Sequence, residues 1–273
     1  MNWSKVKSIM IAFLILANLS LLSYIIYEEV SVNKRNSKMA QTITSLLSTR
    51  NIKVDEKLVF ENAKKTSAQS VYVDNIILDY KTFSSLVLGE NAILENPNKY
   101  KSDIAKATFS GDYFEVEAQK DKLLYAEKIN KVNAQRVAEK YLKQLGFDTN
   151  KSEKNTEYQN NIYKVTFNKQ IKDLSVFKIG VVVEMNENGI TSFYGSWFNE
   201  SSQNSTLLEL KSISGVLVEY MNKKSGASEI SEIQLGYSML EPDTFHESVY
   251  LTPVWKITDA TGNTIYIDAR ENN

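Results

Sequence analysis

VFKIGVVVEMNENGITSFYGSW, residues 176–197, is the stretch on which the fold class turns. Two runs rich in β-branched and aromatic residues, 176–185 and 190–197, flank Asn186-Glu187-Asn188-Gly189, a hairpin turn whose glycine accepts positive φ. Upstream, Tyr163, Val165 and Phe167 alternate through 162–167 and predict a strand that precedes the pair. Further upstream, Val137, Ala138, Tyr141, Leu142 and Leu145 fall on one helical stripe, with Asn133 placed to cap it and Gly146 placed to end it. A helix followed by an antiparallel meander makes an α+β unit.

The pattern recurs downstream. Ser212 can cap a helix carrying Ile213, Val216, Leu217, Tyr220 and Met221; Gly226 follows it, and Ile233, Leu235 and Tyr237 alternate as a strand. Segments 250–257 and 264–269 then pair across Asp259-Ala260-Thr261-Gly262-Asn263, with Pro253 marking an edge or a bulge. A fainter echo relates 40–52 to 134–147. In the first half, 28–50 keeps a helical rhythm in Val32, Met39, Ile43, Leu46 and Leu47, and Asn51 breaks it before a strand at 52–54. Residues 71–73 and 76–78 look like strand and 80–88 like helix, while 107–118 forms strands around Gly111-Asp112. The expected division is a stub at 1–7, an anchor at 8–27, a first α+β module with a juxtamembrane helix at 28–125, and a second region at 126–273. With 10 Gly and 3 Pro in 273 residues, no flexible linker separates them.

Residues 8–27 read SIMIAFLILANLSLLSYIIY, without a charge, and at about 1.5 Å per residue they make about 30 Å of helix, enough to cross a bilayer. Lys5 and Lys7 precede the run and Glu28 and Glu29 follow it, so the positive-inside rule places the N-terminus in the cytoplasm and the remainder outside. A cleaved signal peptide shares the basic-then-apolar order, but no small-x-small cleavage site follows, since 23–27 ends in bulky residues. Within the span, Ala12, Ala17, Ser20 and Ser23 are small and Asn18 is a mid-membrane amide, which makes these five the candidate contacts for a partner helix. Asn18 has a competing option, a bond within its own helix.

Chemistry is sparse. The 32 Lys and Arg nearly balance the 33 Asp and Glu, which leaves no nucleic-acid footprint. With no Cys and one His, disulfides, thiolate metal sites and most nucleophilic triads are excluded. His246 sits in a polar loop beside carboxylates but without a second His, a poor transition-metal site. Glu115 and Glu117 share a strand face and read as solvated surface rather than an acid-base pair. No phosphate-binding, dinucleotide or calcium motif is present, so neither an enzyme nor a cofactor or metal site is expected. Trp197 and Phe198, at a strand end, are the candidate ectodomain recognition surface, weighed against simple core filling.

Two ends of the chain carry a resemblance. Met1-Asn2-Trp3-Ser4-Lys5-Val6-Lys7 running into the span, and Leu251-Thr252-Pro253-Val254-Trp255-Lys256-Ile257 through Gly262 to Tyr266-Ile267-Asp268-Ala269, look like the YycI family of regulatory proteins. The closing hairpin is also similar to the last strands of PepSY-type domains, and 60–102 matches neither. The YycI resemblance implies an accessory protein of low-GC Gram-positive bacteria, anchored by one span, with an extracytoplasmic domain. Its implied partners are a YycH-like protein and the sensor histidine kinase of the YycFG (WalRK) two-component system that governs cell-wall metabolism. The PepSY likeness implies instead a binding module that inhibits an extracytoplasmic peptidase or cell-wall hydrolase. A third expectation, an undescribed enzyme working with acidic residues alone, would use Glu115, Glu117, Asp268 and His246.

Overall fold

The computed structural model describes residues 3–77, 79–201, 205–224, 226–239 and 248–271. Along the chain, helix α1 (Trp3–Ser48) is followed by β1 (Ile52–Val54), α2 (Glu56–Asn62), β2 (Ser67–Gln69), β3 (Val71–Asn75) and α3 (Tyr80–Leu88). Then come β4 (Ile93–Asn96), β5 (Lys99–Lys101), β6 (Ala105–Ser110), β7 (Tyr113–Ala118), β8 (Tyr125–Ala126) and α4 (Ala134–Gln144). The predicted meander is β10 (Ile162–Ile171), β11 (Leu174–Asn186) and β12 (Gly189–Ser196), preceded by β9 (Ser152–Gln159). The chain continues through β13 (Phe198–Glu200), β14 (Leu207–Glu209), α5 (Ile213–Lys223), β15 (Ser228–Ser238), β16 (Ser248–Asp259) and β17 (Thr264–Asp268). The protein is thus α+β, with a long apolar N-terminal helix and a sheet-rich remainder.

Two compact units emerge, and neither is a contiguous piece of chain. One comprises 1–66, 211–234 and 256–267; the other comprises 67–210, 235–255 and 268–273. The expected boundary at 125/126 is therefore corrected. It falls inside β8, which pairs with β12, while α5 belongs with α1 and not with α4. The reason is non-local pairing: β1 lies parallel to β15, Ile52 opposite Ser228 and Val54 opposite Ile230. The meanders themselves are antiparallel as expected, and two short parallel pairings join them, this one and that of β11 with β15.

In the first unit α1 ends through Asn51, which takes φ 58, the left-handed conformation expected there. Ala40, Ile43 and Leu47 of α1 are buried with Val59 of α2 and Ile213, Val216 and Leu217 of α5. Asp55 accepts from the Lys57 amide to start α2, and Ser212 accepts from the Gly215 amide to cap α5 as predicted. Asn62 is buried and donates to the carbonyls of Leu58 and Ile233. The closing hairpin is tied by Asp259, which is 4% exposed and accepts from Lys224 Nζ at 2.8 Å, from the Thr261 hydroxyl, and from the amides of Thr261 and Asn263 at 3.0 and 2.9 Å.

The Lys224 ammonium, together with the Thr261 and Asn263 donors, holds the Asp259 carboxyl well below the usual carboxylate range. A depressed folded pKa adds stability that is complete above the unfolded value of about 3.9 and is lost as pH falls from there through the folded pKa. Asp259→Asn is expected to lower the thermal midpoint of the full-length protein in micelles at pH 7 and to flatten its fall between about pH 5 and pH 2. An unchanged acid limb would show that other carboxylates set it.

In the second unit one run of strands, β9-β10-β11-β12-β7-β6-β5-β4, is antiparallel throughout. Against one face lie α3 and α4, and between them Phe83, Phe109, Phe114, Tyr141, Phe147, Phe193 and Trp197 form an aromatic core. Asn186 opposes Gly189 across the turn and accepts from the amides of Asn188 and Gly189. Gly189 has φ +153, and a Cβ there would meet the Tyr125 carbonyl at 2.1 Å, so the glycine also admits β8. Asn133 does not cap α4; its side chain accepts from the Asn130 amide while Asn130 accepts from Val132 and Asn133, a turn that precedes the helix. Asp79, unnoticed in the sequence, caps α3 through the Thr82 amide at 2.7 Å.

Candidate functional site

The anchor residues lie on a single uninterrupted helix, α1, whose described part from Ile9 onward is long and apolar enough to cross a membrane. At about 100° per residue, Ala12, Ser20 and Ser23 fall within about a quarter turn, Ala17 lies beside them, and Asn18 is on the opposite side. Asn18 donates to the Leu14 carbonyl at 2.9 Å and Ser20 to the Leu16 carbonyl at 2.9 Å. The Asn18 amide is thus satisfied within its own helix, the option weighed against an interhelical bond.

Beyond the span, the same helix carries a groove of about 450 Å³ lined by Arg35, Lys38, Met39, Thr42, Ile43, Leu46 and Ser214. Ile43 forms its floor at 4% exposure, while Leu46 remains 42% exposed. The predicted face of Val32, Met39, Ile43, Leu46 and Leu47 therefore divides: Ile43 and Leu47 enter the core, and Met39 and Leu46 line open surface. The division follows from the packing of α2, β1 and α5 against α1, so sequence periodicity alone could not give it.

Trp197 and Phe198 are corrected. Each is 1% exposed, so neither is a recognition surface. Trp197 packs on Phe147 with ring centroids 6.2 Å apart and donates through Nε1 to Asn199 Oδ1 at 3.3 Å. Phe198, on the next strand, is buried with Val71, Val73, Ile179 and Tyr237. The side chains point inward because β12 ends at Ser196 and β13 turns away to pair with β3, which carries both rings into the interior. Over the Trp197 ring, 4.9 Å from its centroid, sits Lys169 Nζ, a buried ammonium that donates to the Asp148 carbonyl. Burial lowers its pKa, with the Asp148 and Glu200 carboxylates opposing. This cluster fastens the end of α4 to the sheet, since Asn199 also donates to the Gly146 carbonyl and accepts from the Asp148 amide.

The acidic candidates do not converge. Glu115 and Glu117 are exposed on the open face of β7, opposite Tyr194 and Ser192 of β12. Asp268 is engaged by Arg270, which donates to both carboxylate oxygens. His246 lies outside the described residues. Among the described residues no three His, Asp or Glu side chains gather as a metal site. A second hollow, about 710 Å³, lies at the β4 end of the second unit between Asn91, Ile93, Glu95, Lys101, Ser102, Asp103 and Gln119. There Ile93 and Leu94 of the terminal strand are 71% and 57% exposed.

No family model matches the chain, and no curated protein matches it. Among solved structures it is similar to an uncharacterized protein from Eubacterium rectale ATCC 33656, with 15% identity over 77% of this chain and 84% of that one and a TM-score of 0.46. It is also similar to YycH from Bacillus subtilis, with 14% identity, a TM-score of 0.41, and coverage of 72% of this chain and 52% of that one. A third similar structure is the Bacillus megaterium YpeB C-terminal domain, with 12% identity over 70% of this chain and 91% of that one and a TM-score of 0.31.

Proposed function

We propose that this chain is a non-catalytic, membrane-anchored extracytoplasmic regulator that binds a sensor histidine kinase of a cell-wall two-component system, together with a YycH-like partner, and modulates its activity. The observation that carries the reading is the continuity of α1, which runs from the apolar stretch into the core of the first unit without a break. A rigid element of that kind ties the position of an extracytoplasmic unit to a contact within the bilayer. The two chain ends that look like the YycI family support the same reading, as do Lys5, Lys7, Glu28 and Glu29 for a cytoplasmic N-terminus. In the span, Ala17, Ser20 and their small neighbours offer close approach to a partner helix. Such a partner shifts a two-state kinase only through its different affinity for the two states, and about 1.4 kcal/mol of difference changes their ratio tenfold.

A second reading is favoured by the hollow beside β4: an exposed terminal strand next to a concavity can accept an extended peptide, as expected of a PepSY-like module that inhibits a peptidase or hydrolase. Crosslinking of the tagged full-length protein in its own membranes, followed by mass spectrometry, separates the two. A sensor kinase and a second single-span protein are the expected captures. Recovery of a peptidase or hydrolase in their place would transfer the assignment to the second reading.

A further inference from the structure

Arg35, Met39, Thr42 and Leu46 follow one another at intervals of four, three and four residues, so they form a single stripe along α1, with Lys38 on its flank. Two turns below Arg35 the same stripe reaches Glu28. Arg35 and Lys38 are exposed, and neither has a carboxylate partner among the described residues. The upper part of the stripe is largely apolar, with Met39 and Leu46 lining it and Ile43 as floor, while the Thr42 hydroxyl donates to the Lys38 carbonyl at 2.9 Å. Among the described residues this helix face is open and has an ordered pattern: acidic next to the apolar stretch, basic about 12 to 17 Å beyond Tyr27, and largely apolar above that.

A membrane fixes the height of every residue on a helix that leaves it. A second copy leaving the same side would bring Glu28 against Glu28, Arg35 against Arg35 and Lys38 against Lys38, like against like at every charged level. The face therefore selects against itself and fits a helix of the opposite charge order. We infer that this stripe is the docking face for the juxtamembrane helix of a different single-span protein, one that is acidic at the level of Arg35 and Lys38 and apolar at the level of Met39 to Leu46. The inference rests on the proposed role as partner of another membrane protein and specifies that partner's chemistry.

The chain has no cysteine, so Met39→Cys in the full-length protein is a single reporter, and Leu46→Cys is a second at another height. The probes are two designed single-span peptides with a cysteine at matching height, identical except for Glu or Lys at positions eight and eleven beyond the span. Each is reconstituted with the protein in neutral phosphatidylcholine vesicles at low salt, with diamide as the two-electron oxidant of the paired thiols. Disulfide yield is expected to be about tenfold higher with the Glu probe, the scale of two exposed pairs turned from repulsion to attraction. Arg35→Glu with Lys38→Glu is expected to reverse the preference, and high salt to shrink it. Equal yields with both probes would overturn the inference, as would a protein-to-protein disulfide that outcompetes the Glu probe. Probe preference tests the stripe and kinase capture tests the regulator reading, so the two can fail separately.

Discussion

Trp197→Ala is expected to destabilise the protein by about 3 to 5 kcal/mol, the range for removing a large buried aromatic. The ring is 1% exposed and packs in the aromatic core with Phe147, so its loss leaves a cavity that the surrounding strands fill only in part. Two further losses accompany it: Asn199 Oδ1 loses its indole donor, and the buried Lys169 ammonium loses the ring face 4.9 Å away. Against a typical total of about 5 to 15 kcal/mol this is a large fraction, and the thermal midpoint should fall by about 10 °C or more. Thermal denaturation of the full-length protein in micelles, followed by circular dichroism, checks it. A surface role for Trp197 predicts the opposite signature, a midpoint within about 2 °C of the parent with binding lost, and that outcome would return the residue to the interface.

The fate of Trp197 shows where sequence reading stops. Aromatics at the end of a strand have the composition of both a core and an interface, and the direction of the ring depends on where β12 gives way to β13. By contrast, α4 and α5 were legible because an amphipathic stripe is a local property, and the turn at 186–189 because asparagine and glycine are needed for its backbone. Strand β9 was invisible: SEKNTEYQ is exposed on nearly every residue, so it has no inward face to produce alternation, and only its pairing with β10 makes it a strand. The division into units was equally hidden, since Ile52 meets Ser228 across most of the chain. As for the candidate site, the long apolar helix and its continuation past Tyr27 could be read directly. Which residues of that continuation stay open, Met39 and Leu46 but not Ile43 and Leu47, depends on the elements packed on α1 from elsewhere in the chain and had no signal in the sequence.

If the chain acts as the proposed kinase regulator, Ser31→Pro is expected to leave it folded yet to abolish most of the modulation. Ser31 is exposed, four residues beyond Tyr27 and four before Arg35, in the part of α1 that joins the apolar stretch to the first unit. Proline there removes one intrahelical hydrogen bond, clashes with the carbonyl four residues back, and costs about 3 kcal/mol of local helix. The helix bends at that point, and the apolar stretch no longer fixes the direction of the groove. The buried anchors Ala40, Ile43 and Leu47 lie two turns or more beyond the kink, so the core of the unit keeps its contacts. Kinase autophosphorylation in vesicles containing the kinase and either the parent protein, Ser31→Pro or Ser31→Ala is the measurement. If the parent changes the rate about tenfold, Ser31→Pro should change it less than about twofold and Ser31→Ala should match the parent. Modulation that survives the proline would mean that the bilayer contact and the ectodomain act independently, and that the continuity of α1 has no part in the mechanism.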